Sequence, residues 1–381
     1  MSEPFMVAVA GPARVGKTTL LTAVLSDTEK MLEGKPVSIL PEEKTESRIR
    51  QQRIELRRAI EAEVFDAAAL GGTQNMSVYD VRLQVEGDLA VEVPFRILDY
   101  PGRWLNPEER KKSTDAQLHW SQCEEHIRNS IMLLLPIDAA VLMEAITPSQ
   151  KSAVTDLLGL VDVEAIARRW AKARNLRRGE PAVVILAPLK CEKYFHDNGG
   201  NGREENRLKA QVGRTYEPVL RAVRSETAER DVRIVYAPID TYGCVQLMEA
   251  EWPDLGPDGP GHLEFIGRYR FRSRNPQISV KAAGTVMQEL CRCIVSGQEG
   301  QAADRIGEHQ QIYEDLLTRK LEDKGFWGAI RYYLGGEALN NRGSRKQSIR
   351  EIAENRLLHE QLAEAIRHIE KADRDQRVEV W

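Results

Sequence analysis

Residues 5–18 read Phe-Met-Val-Ala-Val-Ala-Gly-Pro-Ala-Arg-Val-Gly-Lys-Thr. The first six form a continuous apolar run between Pro4 and Gly11, the pattern of a short strand buried on both faces of a parallel sheet. From Lys17 onward Leu20, Leu21, Val24 and Leu25 recur at helical spacing. A strand therefore hands over to a helix through a loop that fits G-x4-G-K-[ST], from Gly11 to Thr18.

Working outward, Glu42–Leu70 is charged and helical, and two alternating runs, Ser77–Val85 and Val91–Leu98, flank a Glu86-Gly-Asp88 turn as a hairpin. A polar helix is expected around Ala116–Asn129 and a buried strand over Ile131–Ile137. Helical sequence over Ser149–Ala173 leads to the strand Ala182–Ala187; a helix around Glu204–Glu226 leads to Val232–Ala237. This alternation predicts an α/β domain over residues 1–250: a mostly parallel sheet with one antiparallel strand and helices on both faces. Past the Gly/Pro-rich loop at 256–262 no strand is expected, and residues 263–381 read as a helical C-terminal extension with a stripe at Leu358, Leu362, Ile366 and Ile369.

The loop motif has a physical reading. Its glycines let the backbone wind tightly, so that N–H groups of Arg14, Val15, Gly16, Lys17 and Thr18 converge on phosphate oxygens, with Thr19 continuing the helix start. The helix N-terminus adds its positive dipole end. Lys17 is expected to bridge β- and γ-phosphates, and the Thr18 hydroxyl to bind Mg²⁺. Asp99-Tyr-Pro-Gly102 ends the second hairpin strand, where Asp99 can hold the Mg²⁺ shell and the Gly102 N–H can meet the γ-phosphate. Leu189-Lys-Cys-Glu192 follows a later strand at the place of a base reader: the Lys190 stem would cover a guanine ring and Glu192 accept from its N1 and N2. The competing reading is a solvated lysine and glutamate opening a helix.

In order of elements the chain resembles the translation-factor-related and Ras-like P-loop GTPases. Arg14 in the loop and Asp99-Tyr-Pro-Gly-Arg-Trp104 are similar to YcjX-type bacterial stress-response P-loop proteins. The resemblance implies a G-domain-like P-loop fold, binding of GTP or GDP with Mg²⁺, and conformational switching. An enlarged switch I then spans residues 36–75, with Thr73 as the candidate third Mg²⁺ contact after the Gly71-Gly72 hinge. Arg103 stands where slow GTPases carry a water-positioning glutamine, and arginine has no acceptor. Hydrolysis would then be very slow, be completed by a partner, or draw on Arg103 or Arg14 to stabilise γ-phosphate charge in cis.

With 54 basic and 58 acidic side chains the formal charge is −4, which argues against a dedicated nucleic-acid binder. No stretch approaches the roughly 20 apolar residues of a membrane span, and the opening Met-Ser-Glu-Pro does not read as the basic n-region and apolar core expected of a secretion signal. Five scattered cysteines read as reduced cytoplasmic thiols, and seven histidines show no zinc-ligand spacing. The stretch 326–350 mixes aromatics with the basic residues Arg342, Arg345, Lys346 and Arg350 and could touch a membrane surface, RNA or a partner helix, but packing of the aromatics under the last helix is favoured. Three functions stay open: a regulatory GTPase with a protein partner or activator, a nucleotide-binding scaffold of a stress or defence complex with little turnover, and an ATPase or small-molecule kinase on the same loop.

Overall fold

The computed structural model describes residues 4–62, 65, 75–85, 91–177, 180–198, 202–227, 232–254, 263–292, 367, 369 and 375–381. Thr73 with its glycine hinge, the 326–350 stretch and the Leu358–Ile366 part of the last stripe lie outside the described residues.

Eight strands form one sheet. They are β1 (Phe5–Val9), β2 (Val37–Pro41), β3 (Ser77–Val85), β4 (Val91–Asp99), β5 (Met132–Asp138), β6 (Val183–Leu189), β7 (Arg233–Tyr236) and β10 (Glu379–Val380). Their order across the sheet is β10-β7-β6-β5-β1-β4-β3-β2. The central five, β7, β6, β5, β1 and β4, are parallel, so β3 and β10 are the two that run against the rest. The expectation of one antiparallel strand is corrected by β10, too short a segment to show a period of its own. Strand β2 lies inside the expected switch I region and covers the edge of β3.

The fully buried strands divide residue by residue between two cores. Met132 and Leu134 of β5 face one core while Leu133, Leu135 and Ile137 face the other. Period-two alternation is thus present within a sequence that reads as uniformly apolar. The first core takes α1 (Lys17–Leu32) and α2 (Glu43–Glu61). The second takes α4 (Thr114–Asn129), α5 (Ala139–Glu144), α7 (Leu160–Asn175), α8 (Gly202–Thr215) and α9 (Glu217–Glu226); the short helices α3 (Pro107–Lys111) and α6 (Pro148–Leu157) precede α4 and α7. The helical sequence over 149–173 forms two helices, because Gly159 takes the left-handed conformation at φ 57°, and the one helix expected around Glu204–Glu226 is also two, with Tyr216 between α8 and α9.

Beyond residue 262 the structure departs from helix alone. Strand β9 (Ile266–Phe271) pairs antiparallel with β8 (Val245–Glu251) as a separate hairpin, and β10 joins the main sheet. Residues 285–292 are helical, and Ala283, Val286, Met287 and Leu290 sit in the first core beside α1. Among the described residues no helix is long and apolar enough to cross a membrane.

Candidate nucleotide site

All five parallel strands end on the same side of the sheet, and chemistry-bearing residues collect there. The chain leaves β1 toward β4 on one side and β5 on the other, the kind of divergence that opens a crevice at strand C-termini. The loop from Gly11 to Gly16 lies at this point.

Gly11 has no room for a side chain, since a Cβ would stand 2.7 Å from Pro136 Cγ on β5. Arg14 and Gly16 adopt left-handed backbone at φ 61° and 104°, which turns the chain sharply into α1. The Arg14 side chain is exposed, whereas Val15 is buried and pins the loop to the core. Lys17 is buried and its Nζ donates to the carbonyls of Gly11 (3.1 Å) and Pro12 (2.9 Å). Burial pushes its ammonium down to about 8, a shift that Asp99 partly opposes.

Asp99 ends β4, paired in register beside β1, and is fully buried. The Thr18 hydroxyl donates to its Oδ2 at 2.7 Å, so the two expected Mg²⁺ contacts meet. Two hard oxygen donors suit a small divalent cation that completes its shell with water and phosphate. Gly102 lies directly on the loop: a Cβ there would meet Ala13 N at 2.2 Å and the Pro12 carbonyl carbon at 2.3 Å. The segment between is anchored by side chains, with Tyr100 and Trp104 fully buried and Arg110 donating to the carbonyls of Trp104 and Leu105. Arg103 is exposed.

On the other flank, Lys190 Nζ donates to the Arg14 carbonyl at 3.0 Å and pairs with Asp138. Asp138 also caps α5, accepting from the N–H groups of Ala140 and Val141. Glu192 is not a solvated residue: it is buried, accepts from the Gly243 N–H, and lies beside Asp240. Burial and then the Asp240 charge push its carboxyl up to about 8. The Tyr242 hydroxyl shares a hydrogen bond with Thr19. Gly243 has φ 67°, and a Cβ there would stand 2.1 Å from Ser279 O.

The structure thus gathers Gly11, Arg14, Val15, Gly16, Lys17, Thr18, Thr19, Asp99, Gly102 and Lys190 around one loop, with Arg14 contributing its carbonyl, whereas Glu192 turns to Gly243 and Asp240. Sequence reasoning missed Asp138 and Tyr242. Asp138 has a readable sign, an acid closing an apolar run and opening a helix; Tyr242 has none. No protein-family model matches the chain, and no curated protein matches it.

Proposed function

We propose that this protein is a P-loop nucleoside-triphosphate-binding protein, a slow regulatory GTPase of the Ras-like kind that uses Mg²⁺. The observation that carries the reading is the Thr18–Asp99 hydrogen bond, which brings together two motifs 81 residues apart at the mouth of the loop. A nucleotide's phosphates would lie over the loop N–H groups and Lys17, a cation would sit between Thr18, Asp99 and phosphate oxygens, and Lys190 would support the base side. The cation supplies charge neutralisation on the phosphates; the chain's part is to hold its two oxygen donors and to keep Lys17 close. Glu192 reads guanine only in an arrangement that turns its carboxyl from Gly243 to the base, so guanine over adenine is the part of the proposal that rests most on resemblance.

A second reading, a nucleotide-binding scaffold with little turnover, is favoured by one observation: Arg103 is exposed at the position of the water-positioning glutamine and offers no acceptor. Titrating GTP, GDP and ATP with Mg²⁺, then measuring phosphate release, separates the readings. Tight GTP binding with release that is lost in Lys17→Ala supports the GTPase. Binding without release supports the scaffold, and preference for ATP ends the guanine assignment.

A further inference from the structure

The C-terminal residues reach the candidate base side of the site. Strand β10 pairs antiparallel with β7, Glu379 opposite Tyr236 and Val380 opposite Val235. Residue 377 therefore lies past the end of β7, on the side where the parallel strands finish. There the Arg377 guanidinium forks: Nη1 donates to Asp240 Oδ2 at 2.8 Å and Nη2 to Asp197 at 2.5 Å. Its plane covers the Phe195 ring, 4.2 Å from the centroid. Asp240 belongs to the loop after β7, and Phe195 and Asp197 to the loop after β6.

The same two loops reach the phosphate loop and the helix that follows it: Lys190 of one donates to the Arg14 carbonyl, and Tyr242 of the other bonds Thr19, while Glu192 and the Gly243 N–H join the two loops to each other. Two buried carboxyl groups, Glu192 and Asp240, lie side by side where the loops meet. Burial and the Asp240 charge favour the neutral form of Glu192, and a buried carboxylate is held in place only where hydrogen-bonded cations flank it. Arg272, donating to the Glu192 carbonyl, stands on one side and Arg377 on the other. Outside this fork Trp381 stacks flat on Tyr236 with centroids 5.1 Å apart, and Lys209 pairs with Glu379.

We propose that residues 375–381 are a strap belonging to the nucleotide site, in which Arg377 is a positioning residue that sets the spacing of the two base-side loops and thereby purine selectivity. This rests on the nucleotide-binding reading. Drawing the strap off β7 loosens the base half of the site while leaving the phosphate loop in place.

The test is competition binding with fluorescent GTP and ATP analogues and with tripolyphosphate, in the presence of Mg²⁺, on the full chain. Arg377→Gln is expected to weaken GTP binding about tenfold and to narrow the GTP-to-ATP ratio, with tripolyphosphate changed less than about twofold. Arg377→Lys recovers part of the ratio, because an ammonium can hold one carboxylate but not fork to both. Lys209→Gln, which removes only the outer ion pair, leaves the ratio unchanged. If Arg377→Gln fails to fold by circular dichroism, Asp197→Asn removes one arm of the fork and is expected to narrow the ratio by a smaller factor. A wild-type chain that prefers one purine, with that ratio intact in Arg377→Gln or, where that variant does not fold, in Asp197→Asn, overturns the strap and leaves the nucleotide reading standing. A wild-type chain that binds no nucleotide overturns both.

Discussion

Lys17 is held in surroundings that favour its neutral form. Its ammonium is almost out of water, and its two hydrogen-bond partners are neutral carbonyls of its own loop. The depressed value of about 8 means that the group is mostly neutral at pH 8.5. A triphosphate beside it favours the charged form, so binding at that pH should take up about three-quarters of a proton. Calorimetry in buffers of different ionisation enthalpy measures this uptake directly. It should vanish at pH 6.5, where Lys17 is already charged, and in Lys17→Ala. An uptake of zero at pH 8.5 in a chain that binds tightly would mean that Lys17 does not meet the phosphates.

At the scale of elements, the segment joining β4 to α3 combines close packing with an unmet hydrogen bond. The Tyr100 hydroxyl is buried with no hydrogen-bond partner among the described residues, and so is Trp104 Nε1. An unsatisfied buried donor costs about 1–3 kcal/mol, so Tyr100→Phe should raise unfolding stability by about 1 kcal/mol in urea titrations. Helix α4 carries a second device, His126, whose Nε2 donates to the Val7 carbonyl at 3.0 Å. Burial pushes this imidazole down to about 4 despite that bond. Unfolded chains take up the proton below about pH 6.5, while the folded chain refuses it until about pH 4, so stability falls as pH drops through that window. The loss between pH 7 and pH 5 should be about 2 kcal/mol from this residue, and it should be absent from His126→Gln, so that it appears as the pH-dependent difference between the two proteins. Equal pH dependence in both proteins would remove His126 as the cause.

Across the whole molecule, the sheet is closed at its two edges by segments distant in sequence. Strand β2 covers β3 on one edge, and the C-terminal β10 covers β7 on the other. The stack of Trp381 on Tyr236 fastens the second edge, with Trp381 N donating to the Ile234 carbonyl at 2.9 Å. Trp381→Ala should lower unfolding stability by about 1–2 kcal/mol, read as a shift in the urea midpoint. An unchanged midpoint would show that the edge holds through backbone pairing alone. Residues 282–291 complete the core under α1, so this stretch shares the interior of the main sheet, while β9 stays in its separate hairpin.

What the sequence determined by itself was local. The apolar run before Gly11, the helical spacing after Lys17 and the alternation of the 77–98 hairpin each depend on neighbours a few residues away, and each is where the pattern puts it. The loop glycines were equally legible in kind, because a loop that winds tightly needs residues without a Cβ. The packing of Gly102 was not: that it rests on Pro12 and Ala13 follows from the pairing of β1 with β4. The five-residue β2 and two-residue β10 are too short to carry a period, so only their docking on an open edge makes them strands. Glu192 looked like a solvated or base-reading acid, and folding placed it in the interior beside Asp240. Arg377 lies 137 residues from Asp240 along the chain. A charge pair across that distance leaves no periodic trace, so tertiary structure alone decided that the end of the chain meets the candidate site.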